Sequence, residues 1–322
     1  MITLLRLRAI CRKSARRLSF CLLSCFVYLS CQAGCSNALD MGRLGLGRTG
    51  AQQIGTVLVY VGDRVESLDL ATKSLSLIVA ANSSAANGSP GMASFSPDGS
   101  AIIFKEGAGG GGDSLVLLNL KNRTRRRLLK MAYLDGPRWS PDGTTIVFEG
   151  RSTASGEYSL YRYRLEGGAL TTVIKGQLKG GEMLFSWASD GKGIVYQDAN
   201  NGVYVLDLAS GARTRIDSGW FPTASPNHRY IAYRADEAGD PGYIIYDVQT
   251  RKKQRILAGK SVYRSLVWSP DSRCLIYSAD GRGEYYGDLF ILDLESKTEI
   301  RVLRLEESVY PTDWAIIPHL DD

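Results

Sequence analysis

Among the side chains able to take part in acid–base or metal chemistry, two aspartate-rich series recur along the chain. One series occurs in a repeated turn phrase, at Asp98, Asp142, Asp190 and Asp271. The other ends successive β-rich runs, at Asp69, Asn119, Asp207, Asp247 and Asp293. Short carboxylate and amide side chains suit such places because they bond to nearby backbone groups at the start of a turn. Both series therefore predict repeated turns on separate structural units, and neither predicts a metal site.

Residues for nucleophilic, zinc or phosphate chemistry are not assembled in recognisable motifs either. His228 and His319 are the two histidines, and neither has an evident partner. Cys274 is the one cysteine outside the first 35 residues, and no G-x-S-x-G elbow or Cys-x-x-Cys pair occurs. The glycine-rich run 106–114 lacks the following helix and Lys-Ser/Thr of a phosphate loop. We therefore predict no catalytic residue, no cofactor and no metal.

The net charge of +6 is located almost entirely at the start of the chain. Six basic residues and no acidic residue lie within positions 1–35, and basic and acidic residues are equal in number in the remainder. A nucleic-acid-binding protein needs a cluster of positive charge to displace counterions from phosphates. A nucleic-acid partner is therefore not expected.

These charges precede an apolar stretch, residues 18–34, which ends just before Cys35. A positive segment followed by a hydrophobic run and small residues is typical of a secretory signal. The run is also near the minimum length of a membrane span. We predict that residues 1–35 are a signal peptide or N-terminal membrane anchor, with Cys35 as a candidate lipidation site. Residues 36–55 then form a flexible tether, and the protein is exported, periplasmic or membrane-anchored facing the periplasm or outside, with membrane contact through this leader alone.

One phrase returns five times without gaps. The copies are SPDGSAIIF (96–104), SPDGTTIVF (140–148), ASDGKGIVY (188–196), SPNHRYIAY (225–233) and SPDSRCLIY (269–277). The residue before each copy is Phe95, Trp139, Trp187, Ala224 or Trp268. Proline, aspartate and glycine favour a tight hairpin, and the apolar pair that follows shares one face of a strand. Each phrase therefore predicts a strand, a tight turn and a second strand.

Two further β-rich runs follow each phrase, which makes four short strands in each unit of about 40–45 residues. The first unit, beginning at residue 56, lacks an opening strand, and the chain ends with a spare strand that contains Trp314. These fragments complement each other and remove free sheet edges. The prediction is an all-β, six-bladed β-propeller of four-stranded antiparallel blades over residues 56–318, closed by the C-terminal strand joining the N-terminal blade.

The pattern W-S-P-D-G-x-x-I-x-F/Y resembles the repeat of the TolB-like, or PD40, propeller family. The resemblance covers nearly all of the chain after the leader. It implies a rigid platform for proteins or peptides, often in the periplasm. We separately predict that the protein is monomeric. The same repeat is also similar to that of propellers in prolyl-oligopeptidase-type enzymes and some polysaccharide lyases. The Tol-system member carries an additional α/β domain before its propeller, which residues 36–55 are too short to form.

In a propeller, the loops joining second to third strands and blade to blade emerge opposite the S-P-D-G turns. We predict that the channel mouth on that face binds the partner through aromatic and arginine side chains, which dominate binding energy when desolvated. These are Tyr133, Arg138, Trp220, Phe221, Tyr263, Arg264 and Tyr310. Further contacts are predicted at Glu237, Asp240, Tyr285 and Tyr286.

The predicted function is an exported, non-catalytic scaffold that binds a protein or peptide in the cell envelope. The first alternative is a lyase or glycosidase acting on a polymer at the same face, which would need two or more acids within hydrogen-bonding reach at the mouth. The second alternative is a structural envelope or adhesion component, in which the tether matters more than the face.

Overall fold

A computed structural model describes residues 55–80, 90–107, 111–180, 185–188, 190–235, 239–260, 262–280, 287–305 and 307–316, with backbone alone at positions 90, 91, 263–265 and 280. The described residues form six four-stranded antiparallel sheets arranged as the blades of a propeller. The predicted fold class is confirmed. The predicted leader and tether (1–54) lie outside the described residues. Within the described ranges, no helix is long and apolar enough to cross a membrane.

The first three strands belong to one sheet, the strands that follow form consecutive groups of four, and the last strand returns to the first sheet. They are β1 (Thr56–Val61), β2 (Arg64–Asp69), β3 (Leu75–Val79), β4 (Pro90–Phe95), β5 (Ala101–Gly107), β6 (Asp113–Asn119), β7 (Arg125–Met131), β8 (Tyr133–Trp139), β9 (Thr145–Arg151), β10 (Ser159–Arg164), β11 (Leu170–Ile174) and β12 (Phe185–Trp187). They continue as β13 (Gly193–Gln197), β14 (Gly202–Asp207), β15 (Arg213–Ser218), β16 (Trp220–Ala224), β17 (Tyr230–Arg234), β18 (Tyr243–Asp247), β19 (Lys253–Ile256), β20 (Val262–Trp268), β21 (Cys274–Asp280), β22 (Gly287–Asp293), β23 (Glu299–Arg304) and β24 (Val309–Ala315).

Blade one combines both ends of the described chain, because its strand order is β24-β1-β2-β3. Val57 pairs with Trp314 and Tyr60 pairs with Tyr310 in an antiparallel register. Blades two to six are β4–β7, β8–β11, β12–β15, β16–β19 and β20–β23. The predicted closure of the ring by the C-terminal strand is therefore confirmed.

The S-P-D-G phrase folds as the tight turn between the first two strands of a blade. In blade two, the Ser96 hydroxyl donates to Asp98 Oδ1 over 2.5 Å and accepts from the Ala101 N–H over 2.9 Å. Asp98 Oδ1 also accepts from the Ser100 N–H over 3.1 Å. Gly99 has φ +71°, the left-handed conformation that lets the chain reverse. The serine and aspartate side chains thus satisfy the turn's backbone groups.

Apolar faces of neighbouring blades pack on each other and form the core. Leu58 of blade one packs with Phe95, Ile102 and Phe104 of blade two, and all four are at most 4% exposed. Corresponding clusters fill the junctions up to blades five and six. Because each sheet is covered on both faces near the channel, the second strand of a blade is buried on both faces, as in β5 and β13, whereas the outermost strands, such as β7 and β15, are polar and largely exposed.

The innermost strands are also joined from blade to blade by hydrogen bonds. Asp313 of β24 accepts from the Phe95 N–H over 2.8 Å and from Ser94 Oγ over 3.0 Å. Further bonds of this kind run from Arg138 Nη1 to Ala93 O (3.4 Å), Trp187 Nε1 to Arg138 O (3.3 Å), Ala224 N to Ser186 Oγ (2.9 Å) and Trp268 Nε1 to Thr223 O (3.4 Å). The anchor residues therefore link the blades around the axis.

Replacing Trp314 with alanine is expected to destabilise the ring. Trp314 is 6% exposed and lies on the closing strand, and truncation of a buried tryptophan costs about 3–5 kcal/mol. Ile316→Ala, at a position 54% exposed just beyond the same strand, should change the free energy of unfolding by less than about 0.5 kcal/mol. Urea unfolding followed by circular dichroism measures both. Equal effects of the two substitutions would contradict the assigned closure.

The turn aspartates should make stability fall in acid. The Ser96 hydroxyl and the Ser100 N–H lower the pKa of Asp98 below its ordinary 3.8, and Ser140 and Thr144 do the same to the pKa of Asp142. A carboxylate with a lowered folded-state pKa stabilises the fold above its unfolded pKa, and this contribution is lost as pH falls through the folded value.

The double variant Asp98→Asn/Asp142→Asn should therefore lose less stability than the wild type between about pH 5 and pH 3. It should still fold, because Asn227 already fills this position in blade five with equivalent bonds, from Ser225 Oγ (2.7 Å) and the Arg229 N–H (3.1 Å). Thermal melting at several pH values provides the measurement. The interpretation is wrong if the melting temperature falls equally with pH in the variant and in the wild type.

Candidate functional site

The mouth of the channel is built from the loops on the face opposite the S-P-D-G turns. Antiparallel hairpins place the first and third turns of each blade on one face. The β5–β6, β9–β10 and equivalent loops therefore emerge on the other face, together with the blade-to-blade connections. Tyr133, Trp220 and Val309 begin inner strands directly after such connections. This is the face that the sequence predicted as the binding surface.

A cluster of two tyrosines and one arginine forms the best-defined feature of the mouth. The rings of Tyr133 and Tyr158 meet edge to face with centroids 5.3 Å apart. The Arg151 guanidinium lies 4.7 Å from the Tyr158 centroid and 5.7 Å from the Tyr133 centroid, and Lys105 Nζ is 5.5 Å from Tyr133. Tyr133, Arg151 and Tyr158 are each partly exposed. We call these three residues the blade-three rim cluster.

Glycine makes room for this cluster. Gly180 has φ +84°, and a Cβ at this position would overlap the ring of Tyr158. A larger residue would therefore displace Tyr158 from Tyr133. The rim cluster depends on the connection between blades three and four as much as on its own strands.

Two carboxylates lie beside the rim cluster. Asp135 and Glu149 are register partners on β8 and β9, and Glu149 is 1% exposed. Burial, and then the charges of Asp135 and Glu149, raise the pKa of Tyr133 well above its ordinary value. The Tyr133 hydroxyl also donates to Asp135 Oδ2 over 3.4 Å. Tyr133 is thus held as a neutral phenol and is suited to hydrogen bonding rather than to nucleophilic attack.

The central channel contains a cavity of about 170 Å³ below the mouth, lined by inner-strand residues of five blades. Its charged lining residues are Arg138 and Asp313. Burial lowers the pKa of Arg138, and the charges of Asp313 and Asp135 oppose that shift. Arg138 lies deeper in the channel than the sequence predicted. It directly precedes Trp139 at the turn end of β8, so it lines the channel wall instead of the rim beside Tyr133.

Phe221 lines the same cavity in a strained backbone conformation. Its φ is +53°, which costs a residue with a side chain about 1–2 kcal/mol. The pairing of β16 with β17 is irregular between Trp220 and Thr223, and the Phe221 N–H donates to Oε1 of the fully buried Gln197 over 3.1 Å. A blade-to-blade hydrogen bond therefore helps to hold the ring in the channel. Strain of this kind concentrates at ligand sites.

The other predicted mouth residues occupy more varied positions. Trp220 and Tyr310 are partly exposed, on β16 and β24. Tyr263 and Arg264 lie on β20, where the backbone alone is described. Asp240 lies away from the channel, because its carboxylate accepts over 2.9 Å from Arg255 on the outermost strand of blade five. Glu237, Tyr285, Tyr286 and Cys35 lie outside the described residues.

Sequence reasoning missed three members of the mouth. Arg151 and Tyr158 belong to the segment EGRSTASGEYS (149–159), in which no site residue was predicted, and Gln197 was not predicted either. Tyr158 stands out in retrospect as the one aromatic in EGRSTASGEYS. Gln197 differs, because its side-chain amide is fully buried in a strand and a buried amide needs a hydrogen-bond partner. Its partner, the Phe221 N–H, lies on another blade and could not be read from local sequence.

The described side chains contain no candidate metal centre. No group of three His, Cys, Asp or Glu residues comes together within the described ranges. Cys274 is fully buried in blade six, where burial and then Asp293 raise the pKa of its thiol to about 12. The geometry provides aromatic faces, a guanidinium and a small polar channel.

Comparison with known proteins supports the same architecture. Residues 57–221 match the family model of the TolB beta propeller domain, PD40. A search of curated proteins finds no significant match to the sequence.

Solved structures with the same fold include TolB from Acinetobacter baumannii, with 17% identity and a TM-score of 0.70 over 86% of this chain and 70% of that chain. A TolB candidate from Agrobacterium tumefaciens has 14% identity and a TM-score of 0.60 over 83% and 100% of the two chains. Oligogalacturonate lyase from Vibrio parahaemolyticus has 13% identity and a TM-score of 0.53 over 79% and 76%. At these identities, the likeness establishes the fold alone.

The family match spans more than half of the sequence and its repeats coincide with the observed blades, so the chain belongs to the TolB beta propeller domain (PD40) family.

Proposed function

We propose that this protein is an exported, non-catalytic propeller scaffold that binds a protein or peptide partner in the cell envelope through the channel-mouth face. The observation that carries the proposal is the blade-three rim cluster, in which Arg151 packs against the rings of Tyr133 and Tyr158 while all three remain partly exposed. Tyrosine, tryptophan and arginine are enriched among residues that dominate protein–protein binding energy.

The rigidity of the rim cluster favours binding. Mutual packing of Tyr133, Arg151 and Tyr158 fixes their side chains before a partner arrives. Immobilising a flexible side chain on binding costs about 0.5–1.5 kcal/mol, and a preformed cluster avoids much of this cost. A partner that covers the cluster would also strengthen the cation–π contacts, because desolvation removes competing water.

The channel below the mouth extends this surface inward. Phe221 and Trp268 supply apolar walls, and Arg138 and Asp313 supply opposite charges in the same cavity of about 170 Å³. Concave sites with apolar walls and a few polar groups are where proteins usually bind compact ligand segments. This cavity suits an extended terminal segment of a partner rather than a single side chain, because Arg138 lies five residues along β8 from Tyr133 at the rim.

The alternative, a polymer-cleaving enzyme, requires acids that reach the polymer. The pair Asp135 and Glu149 is the acidic pair next to the rim cluster, but Glu149 is 1% exposed and has no route to a polymer in the channel. Asp313 in the channel is already bound to Ser94 and Phe95 of blade two. These contacts favour binding over general acid–base catalysis at this face.

The double variant Tyr133→Ala/Trp220→Ala should weaken capture of the partner about tenfold or more, because loss of buried aromatic anchors costs at least about 2 kcal/mol each in typical interfaces. The measurement is crosslinking and pull-down of the exported protein from its own cells, with the captured species identified and quantified by mass spectrometry.

The matched control is Tyr230→Ala/Tyr246→Ala. These two tyrosines are also partly exposed, but they lie toward the S-P-D-G face, at the start of β17 and the end of β18. Melting curves confirm that both double variants remain folded. Capture that survives the mouth substitutions and disappears with the control substitutions would disprove the proposed face.

Export is tested by the mature N-terminus. With the native leader, the secreted protein should begin at a lipid-modified Cys35, and Cys35→Ser should abolish the added lipid mass and release the protein from the membrane fraction, because a lipid anchor holds through buried hydrocarbon. Intact-protein mass spectrometry of fractionated cells measures both. A wild-type protein that keeps Met1 and stays in the cytosol would exclude export, and an unmodified start elsewhere would exclude lipidation.

A further inference from the structure

A second pocket lies on the S-P-D-G face, away from the mouth. It has a volume of about 520 Å³ and lies between blades three and four. Arg162, Arg164 and Asp142 of blade three line one side, and Trp187 and Leu208 of blade four line the other. The corresponding pocket between blades five and six measures about 290 Å³. The blade three–four pocket is thus the larger of two equivalent positions.

Arg164 breaks the repeat at this pocket. It pairs with Thr145, the sixth residue of the blade-three phrase. In the other blades, the residue at this register is always Asp or Asn, at Asp69, Asn119, Asp207, Asp247 and Asp293. Those side chains accept hydrogen bonds from the backbone of the following turn, as Asp207 does from the Ser210 N–H over 2.7 Å. Blade three alone has a cation in place of this turn-forming acceptor.

Arg162 is a second exception on the same strand. It pairs with Val147. The equivalent residues of blades two, four, five and six are aliphatic, at Leu117, Val205, Ile245 and Ile291. The replacement puts a guanidinium where blades two, four, five and six have an aliphatic side chain; blade one has Ser67 at this register. Two neighbouring replacements therefore place two guanidinium groups in this corner, in a lining that also contains the carboxylates of Asp142 and Glu166.

The turn itself compensates for the missing acceptor. In the other blades, a single left-handed residue ends this turn, at Lys73, Arg123, Gly211, Arg251 and Lys297. Blade three has two, Gly167 with φ +73° and Gly168 with φ +66°. Its turn still closes at the same length, with the Arg164 N–H donating to Ala169 O over 2.9 Å. Because the glycines form the turn unaided, position 164 is free to carry a side chain for another purpose.

The two arginines lack an acidic partner within the described part of the chain. Neither Arg162 nor Arg164 forms an ion pair there. Two acids, Asp142 and Glu166, line the pocket beside them. Asp142 Oδ1 accepts from Ser140 Oγ (2.6 Å) and from the Thr144 N–H (3.0 Å) of its own turn, and Glu166 lies in the turn that follows Arg164. In blade five, by contrast, Arg229 pairs with Asp247 over 2.9 Å, and in blade six Arg273 pairs with Glu295 over 3.5 Å. The cations of blade three are therefore available to an external anion.

We propose that the pocket between blades three and four binds a small acidic carbohydrate, with Arg162 and Arg164 holding its carboxylate or phosphate group. Paired guanidinium groups match such anions because they offer parallel N–H donors in a planar fork. The volume of about 520 Å³ exceeds what an inorganic anion fills and lies within the usual range for organic ligands. The partly exposed Trp187 ring offers a flat face for a sugar ring, and the turn of Ser140 and Thr145 offers polar contacts at its edge.

The test is isothermal titration calorimetry of the full propeller with glucuronate, glucose 6-phosphate and glucose. At least one acidic sugar should bind saturably in the millimolar range or tighter, and glucose should bind at least about tenfold more weakly because it lacks the anion. The carboxylated and phosphorylated probes distinguish the two acidic groups. The double variant Arg162→Leu/Arg164→Asp should reduce this affinity about tenfold or more. It installs the residue types that other blades carry at these positions, so it is expected to fold.

The matched control is Lys121→Ser/Arg126→Asp on the exposed outer hairpin of blade two, which makes the same change in net charge. It should leave the affinity unchanged, and partner capture at the mouth should be unaffected by either double variant. Glucose binding as tightly as the acidic sugars, no saturable binding of any probe, or equal affinity in wild type and Arg162→Leu/Arg164→Asp would each overturn the proposal. A loss of mouth binding alone would leave it standing.

Discussion

The pairing of β24 with β1 is the interaction on which the whole architecture depends. An open series of six sheets would expose two edge strands and leave no enclosed channel. Closure brings Trp314 opposite Val57 and places Asp313 where it accepts hydrogen bonds from Ser94 and Phe95 of blade two. The closing strand therefore joins blade one through its ladder and blade two through a side chain. Residues nearly 220 positions apart in sequence must meet before the channel exists, so the site is a product of the ring rather than of any blade.

Most of the fold was predictable because the same local physics is repeated. Proline, aspartate and glycine set a hairpin, an aromatic anchor precedes it, and an alternating apolar pair follows. Five copies of these signals determine strand order and blade count, and the unmatched ends at Thr56 and Trp314 imply closure. The strands and turns rest on contacts between residues a few positions apart, the closure rests on the complementary fragments at the two ends, and the structure confirms both.

The mouth was less predictable because its geometry depends on contacts between blades. The sequence placed Arg138 at the rim, but a strand of seven residues spans the channel wall, and Arg138 lies at the end opposite Tyr133. Asp240 was predicted near the mouth, but a bond to Arg255 on an outermost strand holds it at the periphery. Phe221 is positioned by Gln197 of the preceding blade. The depth of a residue in the channel and its bonds to residues of other strands or blades depend on the assembled ring. Neither produces a recognisable pattern in the nearby sequence.

In a repeat protein, comparison of equivalent positions in the blades separates residues that serve the fold from residues that serve a function. Asp98, Asp142 and Asn227 form equivalent turn bonds in three blades, so their chemistry is explained by folding. Departures from the repeat have no such explanation. Phe221 carries a side chain at a left-handed position of the inner strand that Gly136 fills in blade three, and Arg164 replaces a turn acceptor whose role Gly167 and Gly168 take over. Each departure removes a favourable local arrangement from one blade and is accommodated by neighbouring residues. Such exceptions occur on both faces of the ring, which indicates that a single rigid scaffold can carry two separate recognition surfaces without either disturbing the turns that hold it together.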